Sequence, residues 1–506
     1  MIVGRAIKPA EESFDLLAKW IRDCNEHHSL CRFPAGRLPS KVIDVGEIGI
    51  REPSLKVTNG EFGYYIALSH CWGSDPVIRT TRETFVQHQH QLPMDSLPKT
   101  FQDAVIITRK LNMPYLWIDS LCIVQDDVRD WEEQSAIMGQ YYSQSYLTIA
   151  AAASRDSSGG CFLLRPTDTH VRVKCSVNDT QIGYVFIREK PKGFEELDQS
   201  VLNTRAWVAQ ERLLSPRTIH YDADQMLWEC RETRHREDAV PVDAFHAQHL
   251  LWDGRLHLKY PYKRKGASEG KFVWDWYDLV ENYTTRNLTY LDDKLPAISG
   301  LASVMELRTG DKYAAGLWQS HFSIGLLWHR KRNWLIPPSK YRAPSWSWAA
   351  FDGHIVMPAE ADIESSMIPA ILMAEIAVLN VKPEGLDPHG KVASGIVTFI
   401  APLRVADPRV DPQSKLYRQY EEQSTKEHLY DKGESIGWAI FDEAYKPTGP
   451  IHCLQITIKR LPVQELCYSL LLEPTGRENE FRRLGFGCPT LSGWYNSKSK
   501  SLISII

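Results

Sequence analysis

Tyr65-Ile66-Ala67-Leu68-Ser69-His70-Cys71-Trp72-Gly73 decides how the first half of this chain is read. The run from Tyr64 to Leu68 is short, apolar and opens on two aromatics, then breaks into a polar stretch that ends in glycine. That pattern predicts a buried strand followed by a turn. Downstream, residues 99–112 predict a helix, with Phe101, Ala104, Val105, Thr108 and Leu111 on one face. Pro98 stands near its start, where a missing N–H does no harm. Tyr115-Leu116-Trp117-Ile118-Asp119 predicts a second strand running into Ser120-Leu121-Cys122. A second helix begins near Asp130, with Ile137, Met138, Tyr141 and Tyr142 facing inward. A third strand, Tyr146-Leu147-Thr148-Ile149-Ala150, leads to the turn Ser154-Arg155-Asp156-Ser157-Ser158-Gly159-Gly160. Strand, helix, strand, helix, strand predicts an α/β fold whose parallel βαβαβ sheet is joined by right-handed crossovers.

Working outward, residues 13–31 predict an N-terminal helix carrying Phe14, Leu16, Leu17, Trp20 and Ile21 at helical spacing. Residues 273–330 are mainly helical in pattern. From about 341 onward, runs such as Ile396-Val397-Thr398-Phe399-Ile400 and Leu454-Gln455-Ile456-Thr457-Ile458 predict a β-rich domain, a sandwich or a barrel. The expected divisions are an N-terminal helical segment 1–60, the α/β unit 61–212, a mainly helical region 213–340 and a β-rich C-terminal domain 341–506. The polar stretch from Asp407 to Glu434 reads as an insertion.

With 43% hydrophobic and 24% charged residues the chain is globular in composition. A net charge of -4 gives no reason to expect nucleic acid or an anionic membrane as partner, and Lys263-Arg264-Lys265 reads as a solvated loop. No apolar stretch approaches the roughly 18 residues of a membrane span. The opening MIVGRAIKPAEESF is too short in its apolar part for a secretory signal. Ten scattered cysteines fit reduced, buried thiols, which points to the cytoplasm.

The ordered motifs resemble a known family. Tyr65 to Gly73, Leu97-Pro98-Lys99-Thr100-Phe101-Gln102-Asp103-Ala104, and Leu116-Trp117-Ile118-Asp119-Ser120-Leu121-Cys122-Ile123-Val124-Gln125-Asp126 are similar to the fungal heterokaryon-incompatibility (HET) domain. Asp130-Trp131, Met138-Gly139, Tyr142, Asn203-Thr204-Arg205-Ala206-Trp207 and Gln210-Glu211-Arg212-Leu213-Leu214-Ser215 continue the series. Ala343-Pro344-Ser345-Trp346-Ser347-Trp348-Ala349 resembles a downstream segment of such proteins. The resemblance implies a fungal source and a role in non-self recognition and programmed cell death. It also implies a distant likeness to the Toll/interleukin-1 receptor fold, some members of which cleave NAD. NAD is therefore a candidate substrate, and no cofactor is firmly implied; fold by itself does not fix chemistry.

In an open parallel sheet, ligands bind beyond the carboxyl ends of the strands. Segments 69–73, 119–126 and 154–160 should therefore meet at one edge. His70, Cys71 and Asp119 are candidates for a base, a nucleophile and an orienting acid. Neighbours on a strand face opposite ways, so His70 reaches Cys71 only if the chain bends there. Asp119 follows an apolar strand and needs a partner or a ligand; Arg205 is the structural candidate for partner.

By analogy with the essential glutamate of NAD-cleaving Toll-like domains, the resemblance makes Glu133 a catalytic candidate. The structural alternative is a capping-box variant, Asp130-x-x-Glu133. The family pattern places the acid one position later, where this chain has Gln134. Ser69, Trp72, Gln125 and Asp126 are ligand-binding candidates at the strand ends. Ser158 and Gly159 could cradle phosphate through backbone N–H groups. Arg205, Trp207, Gln210 and Glu211 lie in a motif suited to an anion and a flat ring, or to locking the α/β unit onto the downstream region.

Cys24-x-x-His27-His28-x-x-Cys31 has zinc-binding residue types, with Cys24, His28 and Cys31 on one helical face. Without an evident fourth ligand it reads as a packed helix face, and no metal is expected. Besides a cell-death effector, two further functions fit the sequence. One is a stand-alone enzyme of specialised metabolism acting on a small apolar molecule through His70, Cys71 and Asp119. The other is a non-catalytic module that binds another protein.

Overall fold

The computed structural model describes residues 7, 9–73, 78–165, 170–178, 181–189, 191–240, 271–359, 369–407, 426–444, 449–462, 464–491, 493–495 and 500–506. They divide into two compact units, one up to residue 240 and one from 271 onward.

The first unit is built on one eight-stranded sheet. Its strands are β1 (Lys41–Asp44), β2 (Ser54–Val57), β3 (Ile66–Ser69), β4 (Tyr115–Trp117), β5 (Leu147–Ala150), β6 (Arg217–Tyr221), β7 (Met226–Cys230) and β8 (Arg234–Arg236). Their spatial order is β8-β7-β6-β5-β3-β4-β1-β2. Strand β3 lies between β4 and β5 and runs parallel to both, with Ile66 opposite Leu116 on one side and Leu147 on the other. All four residues of β3 and of β5 are buried, as expected of strands covered on both faces.

The sheet extends past residues 60 and 212. A three-stranded parallel unit has two open edges, and unpaired edges must be closed or covered. Antiparallel β1 closes the edge at β4. Parallel β6 closes the edge at β5, with Thr218 opposite Thr148.

The principal helices of this unit are α1 (Phe14–His27), α2 (Lys99–Lys110), α3 (Val128–Ala136), α4 (Met138–Gln144) and α5 (Val208–Leu214). Helix α2 buries Phe101, Ala104, Val105 and Thr108 of the face read from the sequence, whereas Leu111, its expected fifth member, is the half-buried C-cap. The helix expected from Asp130 is two helices, because Ile137 adopts a non-helical φ of -116° between them. The N-cap of α3 is Asp127, whose carboxylate accepts from the N–H groups of Arg129 and Asp130. Asp130 itself accepts from Lys41 Nζ at 2.7 Å and from the Val124 N–H at 2.7 Å. The Asp130–Glu133 capping box therefore does not form.

The second unit holds helices Lys271–Tyr283 and Pro296–Thr309 and a nine-stranded sheet. Five of its strands close a ring: Ile451–Arg460 pairs with Val392–Ala406, which pairs with Lys500–Ile505. Lys500–Ile505 pairs with Glu480–Pro489, then Glu465–Pro474, and so back to Ile451–Arg460. The closure makes this region a barrel. The expected insertion is partly a hairpin, Glu427–Asp431 with Glu434–Phe441. Its stretch 408–425, like Lys263-Arg264-Lys265, lies outside the described residues. No helix among the described residues is long and apolar enough to cross a membrane.

Tryptophans dominate the rest of this unit. Trp276 and Trp348 both donate their indole N–H to the carbonyl of Gly316, at 2.9 and 3.0 Å. Gly316 has φ +98°, and a Cβ there would sit 2.4 Å from Trp348 Nε1. Gly316→Ala combines that clash with backbone strain. It should lower stability by about 2–4 kcal/mol, read as an earlier urea midpoint for the second unit.

Candidate functional site

The three strand ends meet. Ser157 Oγ donates to the Cys71 carbonyl at 3.3 Å, which joins turn 154–160 to segment 69–73. Gly73, at φ +82°, packs so close that a Cβ would lie 2.4 Å from Asp156 Cβ. Trp72 Nε1 donates to Asp119 Oδ2 at 2.9 Å and ties the first strand end to the second. Asp119 opens a single helical turn, and its Oδ1 accepts the Ser120 N–H at 2.7 Å. Gln125 Nε2 braces that turn through the carbonyls of Asp119 and Ile123, each at 3.1 Å.

Glu211 lies at the centre of this edge. Every residue of α5 is buried, so its carboxyl is removed from water. Ser69 Oγ, at the end of β3, donates to Glu211 Oε2 at 2.5 Å. The Tyr142 hydroxyl, whose one proton goes to the Leu68 carbonyl at 3.1 Å, stands beside this carboxyl. Burial pushes the Glu211 carboxyl up to about 7; the Arg205 charge and the Ser69 hydroxyl act in the opposite direction, and Asp119 adds to the rise. The Arg205 guanidinium donates to the His70 carbonyl. That is where it sits instead of forming the expected bridge to Asp119.

His70 is fully enclosed, its ring edge-on to Phe101 at 5.0 Å. Its Nδ1 stands 3.9 Å from Asp119 Oδ1, beyond hydrogen-bond reach, and its Nε2 has no partner among the described residues. Burial pushes the imidazole down to about 4 against the pull of Asp119. Cys71 packs with Ala150, Leu202 and Val208, and burial raises its thiol despite Arg205. The His70–Cys71 relay is therefore not made: the histidine is neutral and the thiol lies in an apolar cluster.

Two further expectations are corrected. Glu133 pairs with Arg129 one helical turn away at 2.9 Å, with side chains 43% and 86% exposed. It takes no part in the edge cluster. Its neighbour Gln134 is buried and accepts from Ser40 Oγ at 2.8 Å and the Tyr141 hydroxyl at 2.5 Å. The phosphate cradle is absent as well, because its donors already have acceptors. Asp156 Oδ1 takes both the N–H and the hydroxyl of Ser158, and Thr100 Oγ1 takes the Gly160 N–H. Gly159 also donates to Asp156. A carboxylate thus fills the place a phosphate would take.

Asp126 is exposed and accepts the Arg82 N–H at 2.8 Å. Trp207, half-buried, caps α5, and Gln210 is buried. Beside Ser69, the packing among Thr148, Asn203, Arg212 and His220 leaves no room for a water molecule. The sequence marks Tyr142 as an inward-facing residue and a member of the family series, not as a site residue, yet its hydroxyl stands at the cluster. Nothing in the aromatic periodicity distinguishes it from Tyr141.

Residues 65–211 match the family model described as heterokaryon incompatibility protein (HET). The chain carries a HET domain. No curated protein and no solved structure matches the chain. The matched segment of the HET domain opens at Tyr65 and closes on Glu211, so both partners of the Ser69–Glu211 hydrogen bond lie inside it.

His70 and Glu211 load the HET domain with opposite pH dependences. His70 titrates near 6.5 when unfolded and near 4 when folded, so its stabilising contribution is complete above 6.5 and is lost as pH falls to 4. Glu211 titrates near 4.5 unfolded and near 7 folded, so its contribution is complete below 4.5 and is lost as pH rises to 7. Between about 4.5 and 6.5 the two slopes oppose. Glu211→Gln should leave the histidine slope alone, so that stability rises with pH across that window. His70→Gln should reverse the slope. Urea midpoints at several pH values measure both.

Proposed function

We propose that this HET-domain protein acts in fungal non-self recognition and cell death by cleaving the glycosidic bond of NAD at the carboxyl edge of β3, β4 and β5. The observation that carries the reading is the buried Glu211 carboxyl with its raised pKa, held by Ser69 with Tyr142 and Arg205 beside it. A perturbed acid where parallel strands end is a marker of a working site. As nicotinamide leaves, positive charge develops on the ribose, a water molecule from solvent adds to that carbon and loses a proton to solvent, and a carboxylate in a dry setting stabilises the developing charge strongly. In this reading Glu211, not Glu133, is the catalytic carboxylate. Arg205 attracts the pyrophosphate, and Trp72 and Trp207, both half-buried, offer faces to flat rings. Asp119 positions Trp72.

The working form of Glu211 is the carboxylate. Purified protein incubated with NAD should release nicotinamide, with kcat/KM rising with pH through about 7. Glu211→Gln should reduce turnover at least about 100-fold and remove the rising limb. Glu133→Gln should leave both unchanged and should not relieve toxicity in a fungal host. An unmodified protein that neither turns over NAD nor harms the host overturns the proposal.

A further inference from the structure

The fourth ligand missing from the Cys24, His28 and Cys31 series is supplied by the sheet. Helix α1 carries Cys24 in its last turn, and His28 caps it. Cys31 follows in a short 3-10 turn, Ser29–Cys31. Cys230 ends β7 and lies 3.3 Å, Sγ to Nδ1, from His28, although 202 residues separate them. The four ligand atoms all lie within 4.8 Å of one another. We propose that Cys24, His28, Cys31 and Cys230 form a closed structural site for one zinc ion, which fastens helix α1 to the sheet.

The donor set selects the metal class. Three sulfurs and one imidazole nitrogen with no carboxylate suit zinc and not calcium or magnesium. Tetrahedral bonds of about 2.3 Å to sulfur and 2.0 Å to nitrogen set ligand atoms about 3.5–3.8 Å apart. Closing the present cluster to that geometry needs shifts of about an ångström or less. The three sulfurs are completely buried, so no position is left for water or substrate. That is the mark of a structural ion, not a catalytic one.

The surroundings match an anionic cluster. Zinc with three thiolates and a neutral imidazole carries one net negative charge. Arg217, only 2% exposed, donates from Nε to Cys24 Sγ at 3.2 Å and offsets that charge. Its Nη2 donates to the Cys31 carbonyl at 2.8 Å and to Asn25 Oδ1 at 2.7 Å, and its Nη1 to the Tyr146 carbonyl at 3.1 Å. The Thr233 N–H points at Cys230 Sγ from 3.4 Å. Binding exchanges three thiol protons, released to solvent, for one divalent ion, and nothing is oxidised or reduced.

Metal analysis of the full chain, purified under reducing conditions, tests the site. About one zinc per chain is expected. Cobalt exchanged into the site should give the intense visible bands and thiolate charge-transfer absorption of a tetrahedral centre. Chelation should lower the unfolding temperature, and added zinc should restore it. Cys230→Ser should lose most of the bound metal, whereas His27→Ala, at the exposed neighbour, should keep it. Should Cys230→Ser fail to fold, the cobalt spectrum of the unmodified chain decides alone. Reduced, unmodified protein with no zinc and no cobalt spectrum overturns the proposal. So does a disulfide among these cysteines, or a folded Cys230→Ser that binds metal like the unmodified chain.

Discussion

The hydrogen bond from Ser69 to Glu211 links the end of the central strand to a helix 142 residues further along the chain. A buried carboxyl must find donors or give up its charge, and this requirement fixes much of the HET domain. It holds Ser69 at the strand end, turns the Tyr142 hydroxyl inward and draws Arg205 close. Arg205 in turn grips the carbonyl of His70, so the segment that begins at Ser69 is held from both sides. Remove the acid and three separate elements lose their common partner.

Around this centre the strand-end segments are rigid, not gaping. Turn 154–160 is closed by its own aspartate and by Thr100 from α2, and Asp103 from the same helix holds the Cys161 N–H just beyond it. Segment 119–126 is braced by Gln125 from within. The half-buried residues at the edge, Trp72, Asp119, Arg205 and Trp207, are the ones a ligand could reach first. A binding event there must act through tryptophan and arginine side chains before the carboxyl behind them is touched.

Much of this is legible in the sequence because it depends on local period. Apolar runs at 66–69, 115–117 and 147–150 and one amphipathic helix give the parallel core, and the rule for parallel sheets then brings the right three loops together. What cannot be read depends on distance along the chain. Periodicity says nothing of whether Glu133 or Glu211 is the buried acid, since both stand on helices; only the packing of α5 decides it. The same holds for Cys230. Nothing near residue 230 announces that it will meet a helix at residue 24, so a four-ligand cluster looks like three. His70 misleads for a different reason: its type suggests a base, whereas full enclosure keeps it neutral and leaves its Nε2 unpartnered among the described residues.

The sheet also sets the smallest piece of this chain that can stand alone. The family match ends at residues 65 and 211, yet β4 is closed by β1 and β5 by β6, both outside those limits. A fragment cut at the match would bare two hydrogen-bonding edges flanked by buried isoleucine, leucine and tryptophan, the arrangement that seeds strand-to-strand aggregation. The compact unit that contains the match therefore reaches beyond it on both sides, from α1 to β8.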